Sequence, residues 1–219
     1  MSRLAIFDCD GTLVDSQANI CLAMEDCFER AGLARPDRAR TRRVVGLSLV
    51  EAMQSMLPDG EPDTHLALAE DYKQAFHRLR GQGLVEEPLY AGVAELIEEL
   101  EADGWLLGVA TGKSDRGLKL CLERHGLHPR FVTLQTADRH PSKPHPSMVE
   151  QAMADAGAEP QSTIVIGDTT YDMAMARAAG ATAIGVSWGY HDAQELSEAG
   201  AHYIASNPSE ILAFTKAFA

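Results

Sequence analysis

The chain has 219 residues, of which 45% are hydrophobic, and a formal net charge of -13 at pH 7. That length can bury a substantial core in one large domain, or in a core plus a smaller module. So acidic a balance is unsuited to nucleic acid, whose polyanion selects a basic face.

The N-terminal apolar run Leu4-Ala5-Ile6-Phe7 predicts a strand over 4–8 that ends in Asp8-Cys9-Asp10-Gly11-Thr12. A helix is expected over 16–31, with Ile20, Met24, Cys27 and Phe28 at helical spacing and Gly32 as its stop. Ser48 and Glu51, three apart, read as a capping box opening a second helix that Pro58-Asp59-Gly60 breaks. Asp63 or Thr64 then caps a third, through Leu66, Tyr72 and Phe76 to the glycines at 81 and 83. From Leu84 onward strands (105–111, 131–135, 163–167, 182–186, 202–204) alternate with helices (92–103, 114–125, 146–156, 170–179, 192–199, 209–218). This alternation indicates right-handed βαβ units and a parallel sheet interrupted by one helical insertion.

Four polar motifs follow apolar runs or begin helices. In open parallel sheets ligands sit outside the carboxyl ends of the strands, so such residues are expected to converge there. Asp8 and Asp10, two apart, face one side and can reach one metal and one substrate while Cys9 points away. Two neighbouring carboxylates facing a phosphate dianion imply a divalent cation, and hard oxygen ligands suit magnesium. Asp168, after the run Thr163-Ile164-Val165-Ile166, can complete that site, and Asp172 lies one helical turn on, near enough to bind or to orient a ligand water. Thr111 and Gly112, ahead of Ser114-Asp115, offer a hydroxyl, free N–H groups and a helix N-terminus to a phosphate. Lys143 adds a positive charge, although a lysine alone reads equally as a solvated surface residue. With these parts an aspartate can attack phosphorus, while a second acid protonates the leaving oxygen and later activates water.

The residues Asp8-x-Asp10-Gly11-Thr12-Leu13-Val14-Asp15-Ser16, Thr111-Gly112, Lys143-Pro144-His145-Pro146 and Gly167-Asp168-Thr169-x-x-Asp172 resemble, in order and spacing, the haloacid dehalogenase-like (HAD) hydrolase superfamily. The likeness is to its phosphoglycolate phosphatase-like branch and spans essentially the whole chain. It implies an α/β fold: a Rossmann-like parallel sheet flanked by helices over 1–14 and 86–219, with an all-helical cap at 15–85. It also implies Asp8 as nucleophile, Asp10 as general acid/base, and phosphate binding by Thr111, Gly112 and Lys143. Mg2+ would be held by Asp8, the Asp10 backbone carbonyl and Asp168, with Asp172 beside it. The Gly185–Tyr190 segment also looks like this branch, as a strand end and turn near the site.

The implied activity is phosphatase action on a small phosphorylated metabolite, 2-phosphoglycolate being the leading expectation. Inorganic pyrophosphatase, sugar-phosphate or nucleotide monophosphatase, phosphomutase and a non-catalytic phosphate-ligand binding protein are the alternatives. Asp10 speaks against a dehalogenase, which has no leaving alcohol to protonate. Arg42 and Arg43 ahead of the second cap helix could offer a cation to a second anionic group such as a carboxylate, or form a solvated surface. Met148, Met153, Met173 and Met175 read as core filler, and His145, beside Lys143, either as a substrate contact or as a loop residue that fixes the lysine's backbone. Cys9, Cys21, Cys27 and Cys121 form no C-x-x-C pair and suit reduced, buried thiols. With no apolar run of membrane-spanning length and no signal pattern at the N-terminus, a cytoplasmic protein is expected, without a membrane partner and as a monomer or homodimer.

Overall fold

The computed structural model describes residues 2–217. The expected helix end at Phe218 lies outside them, as do the outermost positions of the 1–14 and 86–219 segments. Strand β1 (Ser2–Phe7) leads into four helices, α1 (Gln17–Arg30), α2 (Arg38–Arg43), α3 (Leu49–Met56) and α4 (Pro62–Gly81). There follow α5 (Val93–Ala102), β2 (Trp105–Thr111), α6 (Asp115–Arg124), β3 (Thr133–Thr136), α7 (Ser147–Ala156) and β4 (Ala158–Gly167). The chain continues through α8 (Thr170–Ala178), β5 (Thr182–Val186), α9 (Ala193–Glu198), β6 (Tyr203–Ala205) and α10 (Pro208–Ala217).

The sheet order is β3-β2-β1-β4-β5-β6 and each neighbouring pair is parallel. Its strands are apolar on both faces because helices cover both. Ala5, Phe7, Leu107, Val109, Ile164 and Ile166 belong to one core cluster, while Leu4, Ile6 and Val165 pack with Met148, Met153, Met173 and Met175 in the other. The chain reverses its direction of strand addition between β1 and β4, which makes the carboxyl ends of those two strands the crevice where an open sheet receives ligands. Asp8 and Asp168 are the residues that follow them.

Helices α1, α3 and α4 share a separate apolar cluster that includes Met24, Phe28, Met53, Leu68 and Tyr72. Ser48 does stand at the N-cap of α3, but its side chain accepts no capping bond; its N–H donates instead to Ser142 Oγ at 2.8 Å, tying the helix start to the sheet domain. Helix α4 begins at Pro62, ahead of Asp63 and Thr64, because proline is favoured in a first turn where its missing N–H has no helical partner. Helix α2, capped by Asp37 accepting from Ala39 N, was not expected: the basic run RARTRR has no apolar periodicity to reveal it.

Strand β4 starts at Ala158 rather than 163, its early part pairing with Ser2 across a register shift. The capping boxes actually present include Thr169–Asp172 on α8, which becomes important at the site. All four cysteines are free and buried. Among the described residues no helix is long and apolar enough to cross a membrane.

Candidate active site

Strands β1 and β4 pair up to Phe7 and Ile166, and the Asp8 N–H donates to Ile166 O at 2.9 Å, which fixes the strand-end carboxylate beside Asp168. Oxygens of Asp8, Asp168 and Asp172 all lie within 4.8 Å of one another, and all three residues are buried. Lys143, far from a solvated surface lysine, is 1% exposed. Its Nζ stands 2.9 Å from Asp8 Oδ1 and donates to Asp172 Oδ1 at 2.6 Å. Burial alone would lower the Lys143 pKa, but Asp172 and Asp8 outweigh it and hold the ammonium charged.

One ammonium among three carboxylates leaves negative charge uncompensated. Asp168 accepts from Thr12 Oγ1 at 2.8 Å and from Tyr190 N at 2.9 Å, yet burial, then Asp8 and Asp172, push its pKa well up. Asp172 spends Oδ2 on the α8 cap, accepting from Thr169 N and Oγ1. Asp8 is different. Lys143 touches its Oδ1 as an ion pair without hydrogen-bond direction, and its buried Oδ2 has no partner among the described residues. Burial pushes Asp8 up to about 7, with Lys143 acting against it and Asp172 adding to it. An orphaned buried carboxylate oxygen in an acidic cluster fits a hard divalent cation such as Mg2+, which Asp8 and Asp168 would hold, with Asp172 adjacent.

The fit around Asp168 is close. A Cβ on Gly189 would lie 2.2 Å from Asp168 Cβ, and one on Gly11, whose φ is +87°, 2.2 Å from Asp168 Oδ2. Gly189→Ala is expected to displace Asp168, costing about 1–3 kcal/mol of stability as overpacking does, and to lower turnover at least tenfold. Thermal unfolding and phosphate release check this; wild-type values in both would mean that the loop yields at no cost.

Asp10 lies outside the cluster of Asp8, Asp168 and Asp172 but lines the same cavity as Asp8. Its Oδ1 accepts from Ser16 Oγ and pairs with Lys113 Nζ at 2.7 Å. Lys113 also pairs with the buried Glu87 at 2.9 Å, and Arg80 reaches the other Glu87 oxygen at 3.0 Å. Burial would raise Glu87, but Lys113 and Arg80 overcome it and hold the carboxyl below its ordinary range. Lys113 and Glu87 were missed from sequence. The available signal was position: Lys113 directly follows Thr111-Gly112, at the end of a strand already read as a phosphate cradle.

Thr111 is buried, its Oγ1 accepting from Lys113 N at 3.2 Å, and Ser114 caps α6, its Oγ accepting from Gly117 N. The helical module also comes close at Gly112, where a Cβ would stand 2.6 Å from Leu47 O. A cavity of 480 Å³ opens between the module and the sheet, lined by Asp8, Asp10, Thr111, Gly112 and Lys113 on the sheet side.

Arg43 is placed elsewhere. It pairs with Glu195 at 2.6 Å on the surface, its carbonyl accepts from Tyr171 Oη at 3.0 Å, and neither it nor Arg42 lines the cavity. His145 is exposed, its Nδ1 accepting from Ser147 N. The 185–190 turn does more than pack: besides the Tyr190 N–H on Asp168, Trp188 Nε1 donates to Thr12 O at 3.2 Å.

A strand-end aspartate pair, a buried lysine and a cluster of buried carboxylates at the switch point of a parallel sheet are the parts of an α/β hydrolytic enzyme. Residues 5–186 match the haloacid dehalogenase-like hydrolase family, and the chain belongs to it. It is 37% identical to a probable phosphatase, IndB, of Dickeya dadantii (strain 3937), over 97% of this chain and 93% of that protein. It is 27% identical to a phosphoglycolate phosphatase of Vibrio parahaemolyticus over 96% and 94%. Among solved structures, a hydrolase from Pseudomonas syringae superposes with a TM-score of 0.87 at 27% identity, covering 100% of both chains.

Proposed function

We propose that this protein is a magnesium-dependent phosphatase that hydrolyses a phosphate monoester of a small metabolite through an aspartyl-phosphate on Asp8. The observation that carries this reading is the buried Asp8 carboxylate with its orphaned Oδ2, beside Lys143 and opening on the same cavity as Asp10. Bound Mg2+ supplies positive charge to the phosphoryl oxygens and so permits an anionic nucleophile to approach an anionic ester.

The chain's own groups do the rest. Thr111 and the N–H groups following it orient the phosphoryl group, and Lys143 neutralises charge on its oxygens as the bond to the leaving group lengthens. Asp8 attacks phosphorus and the ester oxygen departs with a proton from Asp10. Asp10, now a carboxylate, takes a proton from water, which attacks the aspartyl-phosphate and frees Asp8. Ser16 and Lys113 hold the Asp10 carboxyl group over the cavity. The helical module acts as a cap that excludes bulk water. Four free, buried thiols suit a reducing cytoplasm.

Phosphate release is the test, measured with and without Mg2+ on 2-phosphoglycolate, pyrophosphate, sugar phosphates and nucleoside monophosphates. Magnesium-dependent release from monoesters is expected, with loss of nearly all turnover in EDTA. Absence of release from every member, in protein that binds the metal, defeats the proposal.

A further inference from the structure

The cavity carries more information than the site at its floor. Its sheet side is polar, but Ile20, Met24, Val45, Leu47, Tyr72 and Phe76 present apolar surface to it from the helical module. Tyr72 and Phe76 lie with ring centroids 5.8 Å apart and form an aromatic corner. Its 480 Å³ falls within the range of pockets that hold ligands much larger than a two-carbon acid.

The cations around the cavity are equally informative. A substrate that carries a carboxylate beside its phosphate needs a desolvated positive group free to pair with it, since removing one partner of a buried pair is costly. Lys113 is committed to Asp10 and Glu87, and Arg80 to Glu87, with its guanidinium 6.0 Å from the Phe76 centroid. Lys143 is committed to Asp8 and Asp172, and Arg43 to Glu195 outside the cavity. The other basic residues that line it, Lys73, His77 and Arg116, are exposed, where water screens charge.

We infer that the leaving group this cavity takes is an uncharged, ring-sized apolar or aromatic alcohol, rather than the short acid of 2-phosphoglycolate. The phosphoryl group would sit over Asp8, and the ring against Phe76, Tyr72 and Leu47, where its transfer from water supplies binding that a two-carbon body cannot. This inference rests on the phosphatase reading, and the experiment separates the two.

The substrates are 2-phenylethyl phosphate, ethyl phosphate and 2-phosphoglycolate, all alkyl monoesters, so the comparison reads the body and not aryl activation of the leaving oxygen. Expected is a kcat/KM for the phenylethyl ester roughly ten- to hundredfold above that for ethyl phosphate, with 2-phosphoglycolate no better than ethyl phosphate. Phe76→Ala lowers the phenylethyl-to-ethyl ratio about tenfold, chiefly through KM. A phenylethyl ester no better than the ethyl ester, or 2-phosphoglycolate ahead of both, overturns the inference while leaving the phosphatase reading in place. Were none of the three hydrolysed, the phosphatase reading would be in trouble, and calorimetric binding to Asp8→Asn protein with Mg2+ would decide the inference alone. Binding of 2-phenylethyl phosphate at least tenfold tighter than 2-phosphoglycolate sustains it, and any other order overturns it.

Discussion

Asp8→Asn is expected to lose at least about 10⁴-fold in kcat while keeping the fold, because the amide cannot attack phosphorus and Lys143 and Asp10 cannot replace it. Near-normal phosphate release in this variant would sink the aspartyl-phosphate mechanism. The same substitution has an opposite consequence for stability. Burial raises Asp8 from its ordinary 3.8 to about 7, so without a cation the folded chain holds a proton that the unfolded chain has lost. Asp8 therefore opposes folding progressively as pH rises from near 4 to about 7, and fully above that. In EDTA at pH 8, Asp8→Asn is expected to unfold at a higher temperature than wild type, with the gap closing toward pH 5. With millimolar Mg2+ the order reverses, since only the wild type keeps all its cation ligands. A wild type more stable than the variant in EDTA at pH 8 would mean that the carboxylate cluster is not under the strain its burial implies.

Lys143→Met is expected to be the most destabilising single change at the site. The ammonium is the positive group that joins Asp8 to Asp172, and its removal leaves buried carboxylates facing one another. Breaking a buried pair from one side costs about 3–5 kcal/mol, which urea denaturation at pH 8 would read as a large drop in midpoint. The loss shrinks at lower pH, where the carboxylates take up protons instead. Turnover falls at least about a hundredfold, as for removal of one preorganised donor to a developing anion. Lys143→Arg does not rescue it, because a planar fork cannot replace a point charge lodged between Asp8 and Asp172. Wild-type stability in Lys143→Met at pH 8 would show that Lys143 is not the counterion of the cluster.

The contrast between Lys143 and Lys113 shows where sequence reading stops. Lys143 was legible because Lys143-Pro144 falls in order between the Thr111-Gly112 and Asp168 motifs. Lys113 was passed over because its role depends on two partners: Asp10 at the end of another strand and Glu87 where the chain returns from the helical module. Arg43 misled in the opposite sense. Its place ahead of a helix start suggested a cavity cation, but the way α2 sits on the sheet domain aims it at Glu195, 152 residues away.

The sequence by itself determined the sheet, its parallel alternation with helices, and the strand-end positions of Asp8, Thr111 and Asp168. Those features follow from local rules: period-two burial, capping and turn residues, and the requirement that polar groups ending buried strands emerge at one edge. Only the tertiary structure decided that Ser48 caps nothing and docks on Ser142, and that Asp10 is held by Lys113 and Ser16. It also decided that Lys113 and Arg80, at the cavity, are already paired with acids. These contacts join segments far apart in the chain, and their partners are selected by how one rigid helical cluster rests on a sheet, a geometry that local propensity does not encode.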